Sequence, residues 1–158
     1  MKISVCIPCY NEARTIGKVI DDFRRELPEA DILVYDNNSS DQTAAVAESH
    51  GAVVRFAPRP GKGMVIRQMF KEINSDIYIL VDGDDTYRAG DVHKLIKPVE
   101  TGECDMSVAN RLEKYSSGSF PPFHKFGNRL ICWLTRRFYE KKIDDMLSGF
   151  RVMNKTMV

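Results

Sequence analysis

Three carboxylates crowd the segment Asp82-Gly83-Asp84-Asp85. Anions this close repel one another unless a cation joins them. Hard divalent cations take oxygen ligands, and magnesium usually sits on one or two carboxylates plus substrate phosphates. Gly83 leaves out a side chain where a ligand or a tight turn needs room. The competing reading is an Asp/Gly turn with no ligand at all. Just before the acids comes Ile77 to Val81, β-branched and aromatic with no polar break. Such a run reads as a strand buried on both faces of a parallel sheet. Open α/β sheets place their ligands at the carboxyl ends of strands like this one.

Other polar clusters occupy equivalent places. Ile3 to Ile7 reads as a first strand and runs into Pro8-Cys9-Tyr10-Asn11-Glu12. Apolar positions Ile16, Val19, Ile20, Phe23 and Leu27 then recur at helical spacing. Asn11 is the expected cap of that helix and Pro28 its stop. A second strand, Ile32 to Tyr35, delivers Asp36. Ser39 and Gln42 have capping-box spacing, so a helix is expected from there to His50, with Gly51 just past its end. Ala52 to Phe56 is the third strand, followed by Pro58-Arg59-Pro60-Gly61-Lys62-Gly63 and a helix marked by Ile66, Met69, Phe70 and Ile73. Strand and helix thus alternate three times before the acidic loop. That pattern predicts an α/β, Rossmann-like, mostly parallel sheet with helices on both faces. In it, Asn11/Glu12, Asp36, Lys62 and Asp82/Asp84 all open on one crevice.

With 158 residues and 43% hydrophobic content the chain suffices for one domain with a real core. A net charge of +1 gives no global field for nucleic acid. No apolar run is long enough to span a bilayer, and Met1-Lys2 leading straight into Ile3 does not read as a signal peptide. Four cysteines point to a reducing compartment rather than a disulfide framework. Cys6 lies inside a predicted strand, and Cys6-x-x-Cys9 lacks partner ligands at zinc spacing, which argues against redox or zinc use. Gly61-Lys62-Gly63 lacks the full P-loop pattern, so an NTPase is not expected.

Beyond Tyr87 the pattern loosens. A short helix at Val92, Leu95, Ile96 and Val99 is expected to end near Pro98, and Met106 to Ala109 reads as a strand. Residues 113–122 read as a loop. Phe126 to Tyr139 reads as a helix with a broad apolar side and flanking cations, which fits either core packing or a membrane surface. Gly149 to Met153 reads as a last strand. The chain stops soon after it, so continuation of the domain past residue 158 is expected.

Taken together, these residues resemble the family-2 glycosyltransferases of the GT-A fold. The resemblance is carried by Ile7-Pro8-Cys9-Tyr10-Asn11-Glu12, by Asp36 through Thr43, by Gly61-Lys62-Gly63 and by Asp82-Gly83-Asp84. Asp145-Met146-Leu147-Ser148-Gly149-Phe150-Arg151 looks like the branch that makes polyprenyl-phosphate sugars, such as dolichyl-phosphate mannose synthase. It covers essentially the whole chain, with a nucleotide-binding part over about 1–88 and an acceptor part over about 89–158. The resemblance implies a UDP- or GDP-linked nucleotide-sugar donor and Mg or Mn. Pro8, Tyr10, Glu12 and Asp36 would line the nucleoside pocket, and Asp82 and Asp84 would hold the metal on the diphosphate. Lys62 is a point charge within reach of the same diphosphate. Two departures stand out: Asn37-Asn38 replaces the more usual Asp-Gly, and Asp85 adds a third acid beside the pair.

For the acceptor, Arg111, Arg129 and Arg151 each stand near small polar residues, and arginine forks match phosphate oxygens in a bidentate way. By the resemblance, Arg111 and Arg129 are counterparts of arginines that bind a lipid phosphate. Asp145 is the one candidate general base if the acceptor is instead a sugar hydroxyl. The expected activity is inverting, metal-dependent transfer of a sugar to polyprenyl phosphate. The alternatives are transfer to a sugar hydroxyl of a cell-wall or surface glycan, or a nucleotide-sugar-binding domain without turnover. A nucleotidyltransferase fits less well, since Pro8 to Arg14 contains no glycine. The expected location is cytoplasmic, at the inner face of the membrane if the 126–139 helix docks there.

Overall fold

The structure is a computed structural model and describes residues 1–109 and 148–158. Its chain order is β1 (Ile3–Cys9), α1 (Ile16–Glu26), β2 (Asp31–Asp36), α2 (Thr43–Ser49), β3 (Val53–Phe56), α3 (Lys62–Glu72), β4 (Ile77–Leu80), α4 (Val92–Glu100), β5 (Met106–Val108) and β6 (Arg151–Asn154). The six strands form one sheet in the order β3-β2-β1-β4-β6-β5. β1 pairs in parallel with β2 and β4, and β2 with β3. β6 runs antiparallel to both β4 and β5. The mostly parallel α/β sheet expected from the alternation is therefore present, with one reversed strand.

Period-2 alternation explains why the strands read as unbroken apolar runs. Val5, Ile7, Ile32, Val34, Ile77, Ile79 and Val152 face one core, where α1, α2 and α4 contribute Ile16, Val19, Phe23, Ala47, Val92 and Ile96. Cys6, Leu33, Tyr35, Tyr78, Leu80 and Met153 face the other, where α3 contributes Val65, Met69 and Ile73. Both faces are covered, as parallel sheets require.

Several local expectations are corrected. Asn11 does not cap α1, which begins at Ile16; Asn11 sits at φ 56° and its Oδ1 accepts from the Ser40 N–H at 2.8 Å. The Ser39/Gln42 capping box does not form. Instead Ser39 Oγ accepts the Asn11 N–H at 2.9 Å, and Asp41 Oδ1 accepts the Thr43 N–H where α2 begins. Local capping partners have been diverted to stitch the β1–α1 loop to the β2–α2 loop. Pro98 does not stop α4, which continues to Glu100. Its missing N–H leaves only the carbonyl of exposed Lys94 without a helix partner, where water can take over. The last strand begins at Arg151 rather than Gly149, because the Gly149 N–H is donated to the Tyr87 hydroxyl at 2.6 Å.

Candidate active site

The chain passes from β1 to β2 and β3 on one side, then crosses to β4 on the other side of β1. The gap between the carboxyl ends of β1 and β4 is therefore a topological switch point, where such sheets open a crevice. A cleft lies there, and its walls include Pro8, Tyr10, Glu12, Asn37, Lys62, Asp82 and Asp84. Five of the predicted residues from three different loops thus join Pro8 around one space. Tyr10 is 60% exposed at its rim.

Each wall is held by identifiable contacts. The Glu12 N–H donates to Thr43 Oγ1 at 2.8 Å, and Thr43 itself is fully buried. Asn37 Nδ2 donates to the carbonyls of Ala57 and Arg59 at 2.7 and 2.8 Å, while its Oδ1 accepts the Gly61 N–H at 2.9 Å. Asn37 thereby fixes the loop that leads to Lys62. Asn38 takes φ 64°, the left-handed conformation that a glycine would supply and that asparagine tolerates. The Asn-Asn departure is therefore compatible with a left-handed turn position at residue 38.

The three acids separate into a pair and an outlier. Asp82 and Asp84 face the cleft, and Lys62 Nζ forms an ion pair with Asp82 Oδ1. Asp84 Oδ1 also accepts the Thr86 N–H at 3.0 Å. Asp85 turns away at φ 59° and pairs with Lys18 of α1 at 2.7 Å. On the other side of this loop, Thr15 Oγ1 donates to the Gly83 carbonyl at 2.7 Å.

Two buried acid oxygens lack the partners that such atoms normally find. Glu12 Oε2 is buried without a nitrogen or hydroxyl partner. Burial, assisted by the charges of Asp84 and Asp82, pushes its pKa up to about 7, against the opposing help of the Cys9 thiol and Lys62. Asp36 is 7% exposed at the end of β2; its Oδ2 accepts the Ser39 N–H at 3.2 Å, and its Oδ1 has no partner. Asp36 is not among the residues lining the cleft, while its chain neighbour Asn37 is. Two carboxylates on an open cleft, with phosphate oxygens or water free to complete the shell, suit a hard divalent cation. The donor set therefore fits Mg or Mn.

Segment 148–150 enters at the same end of the sheet and was missed as a site element. A Cβ at Gly149 would collide with the Asp82 carboxylate. The Tyr87 hydroxyl accepts the Gly149 N–H, and its ring lies edge-on to Phe150 at 5.5 Å. Phe150 also meets Phe23 of α1 edge-on at 5.7 Å. Arg151 stands opposite Leu80 in register, two residues before Asp82, and its Nε donates to the Ser148 carbonyl at 3.0 Å. Arg111, Arg129, Asp145 and the 126–139 helix lie outside the described residues. Cys6 and Cys9 are buried on opposite faces of β1 and unpaired. Burial pushes both thiols up, Cys6 to about 12. Among the described residues no helix is long and apolar enough to cross a membrane.

Known proteins share this fold. The model of the family "Glycosyl transferase family 2" matches residues 4–158. Protein RfbJ of Shigella flexneri is 46% identical over 123 residues, 78% of this chain and 95% of that protein. Glycosyltransferase AglJ of Haloferax volcanii is 35% identical over 155 residues, 96% of this chain and 50% of that one. A dolichol-phosphate mannosyltransferase of Pyrococcus furiosus is 26% identical over 168 residues, covering 100% of this chain and 47% of that one. Among solved structures, glucosyl-3-phosphoglycerate synthase of Mycobacterium tuberculosis, in complex with Mn2+ and UDP-glucose, superposes with a TM-score of 0.79. That match has 23% identity over 99% of this chain and 57% of that one. The fold is thus the GT-A fold of glycosyltransferases. The chain belongs to glycosyl transferase family 2, and it spans about half the length of AglJ and of the Pyrococcus enzyme.

Proposed function

We propose that this domain binds a nucleotide sugar with Mg or Mn and transfers the sugar, with inversion, to polyprenyl phosphate. The observation that carries the donor half is the meeting of Asp82, Asp84, Lys62 and Glu12 around one cleft at the β1/β4 switch point. The unpartnered Oδ1 of Asp36, the chain neighbour of Asn37, is suited to accept a base N–H, which would select among nucleotides. Pro8 and Tyr10 provide apolar surface at the other wall. Asp82 and Asp84 would hold the cation, which when bound neutralises charge on the departing diphosphate. Lys62 adds a second positive charge beside them. Support for this donor and metal comes from the Mycobacterium enzyme, whose structure contains Mn2+ and UDP-glucose.

The acceptor half rests on chemistry and on the dolichol-phosphate relative. A lipid phosphate is already an anionic nucleophile and requires no base to remove a proton. It needs cations that hold it against the carboxylates of the site. Arg151 enters at the right end of the sheet, and Arg111 and Arg129 would complete the set.

A thermal-shift screen of UDP-, GDP- and dTDP-sugars with and without Mg or Mn tests the donor reading. A ligand at 100 times its dissociation constant adds about 2.7 kcal/mol. One nucleotide class is expected to stabilise the protein in a metal-dependent way, and Asp84→Ala is expected to abolish that shift. Metal-dependent binding that survives Asp84→Ala, or no shift with any donor, would overturn it.

A further inference from the structure

On the α3 side of the sheet edge, away from the cleft, lies a groove of ≈ 370 Å³. Its walls include Pro58 and Arg59 of the β3–α3 loop and Arg67, Gln68, Lys71 and Glu72 of α3. Arg67 and Lys71 are four residues apart, so they lie on the same helix face, where like charges repel. The one carboxylate of the groove is already engaged. Glu72 accepts from the Tyr35 hydroxyl at 2.9 Å and from Arg55 at 3.0 Å, and its other oxygen accepts from Gln68. Among the described residues no acid comes within ion-pair distance of Arg59, Arg67 or Lys71. Three cations without an acid partner among the described residues thus line one concavity in a chain whose net charge is only +1. Two of them are guanidinium forks, which suit the paired oxygens of a phosphate.

The groove and the cleft are the two sides of one loop. Asn37, a wall of the cleft, holds the Ala57 and Arg59 carbonyls, and Lys62 at the start of α3 faces the Asp82 side. Arg67 and Lys71, one and a half to two and a half turns further along α3, do not reach that side. We infer that this groove is a second binding site, for a phosphate-bearing anion, distinct from the cleft in which the donor is proposed to bind.

The test measures binding of inorganic phosphate and pyrophosphate to the metal-free protein by calorimetry. In parallel, co-sedimentation is measured with phosphatidylcholine vesicles, alone or containing phosphatidylserine. Three proteins are compared: the parent, Arg67→Ser with Lys71→Ser, and Lys62→Ser. Each is first shown to melt like the parent. The double variant is expected to bind at least about tenfold more weakly, since two charge-assisted contacts are removed. The Lys62→Ser protein, altered only on the cleft side, is expected to keep the share of binding that the double variant loses. Loss with inorganic phosphate or pyrophosphate identifies a soluble phosphate as ligand; loss confined to phosphatidylserine vesicles identifies a lipid headgroup. Binding that survives the double variant, that disappears with Lys62→Ser, or that is absent from the parent with every probe would overturn the inference. The donor screen described above can succeed or fail independently, because it reports on the cleft.

Discussion

Replacing Gly149 with alanine tests how the acidic loop is placed. The three atoms nearest an ideal Cβ at this position all belong to the Asp82 carboxylate, with Oδ1 at 2.7 Å and Oδ2 closer still. Real Cβ atoms essentially never approach so near, so one side must move. Segment 148–150 is poorly able to retreat: the Tyr87 hydroxyl holds the Gly149 N–H, and Phe150 is 1% exposed between Phe23 and Tyr87. Asp82 is therefore the group expected to shift, away from Lys62 and from its place in the cleft. Overpacking of this kind costs about 1–3 kcal/mol. A domain of this size loses about 2–4 °C of Tm per kcal/mol, so the melting point should fall by roughly 2–12 °C. Losing one well-placed charged ligand is worth about 1.5–3 kcal/mol, or roughly ten- to hundredfold in manganese-dependent donor affinity. Differential scanning fluorimetry with and without Mn and UDP-glucose, the donor present in the Mycobacterium complex, reads both effects. A Gly149→Ala protein that melts with the parent and binds the donor with parental affinity would refute the placement of Asp82 against this segment.

Asp36→Ala should weaken donor binding by about 1–3 kcal/mol and blur the preference among UDP, GDP and dTDP in competition experiments. The same change should move the Tm of the free protein little, because it removes a buried oxygen without a partner together with the 3.2 Å acceptor of the Ser39 N–H. Lys18→Ala breaks an exposed pair with Asp85 and should change donor affinity by less than about fivefold, as measured by calorimetry. Arg111→Ala or Arg129→Ala should raise the apparent KM for polyprenyl phosphate while donor binding persists. Asp145→Asn should slow turnover far less than Asp84→Ala; equal damage, together with activity on a soluble sugar, would point to a hydroxyl acceptor.

What was legible in the sequence was whatever depends on neighbours along the chain. Ile77 to Val81 announced a buried strand because both of its faces are apolar, and the alternation of such runs with helical spacing announced the parallel sheet. The loops after β1, β3 and β4 were then forced to one end, which brought Glu12, Lys62, Asp82 and Asp84 together, while the β2 loop presents Asn37 to the cleft where Asp36 was expected. Contacts across that end were not legible. Asn11 and Ser39 look like local caps, yet each serves the other's loop. Asp85 looks like a third metal ligand until Lys18, 67 residues away, takes it. The reversal of β6 had no periodic signature, since parallel and antiparallel strands bury the same apolar faces. Gly149 stood in a recognised motif, but nothing local says that its missing side chain makes room for Asp82.

The reversed strand also sets when the site can exist. β4 receives its second neighbour only when residues 151–154 arrive, in pairs such as Ile77 with Asn154. At about 5–20 residues per second, translation delivers that partner roughly 4–15 s after β4 itself. During this interval an apolar strand has one open edge, a template for mispairing. Asp82 meanwhile lacks the glycine that backs it, whose segment is anchored through the Gly149 N–H to Tyr87, 62 residues earlier. A nascent chain thus carries Pro8 through Asp84 of the cleft before the segment that packs against Asp82 has been made. The contact that places Asp82 against Gly149 therefore depends on chain synthesised after β4.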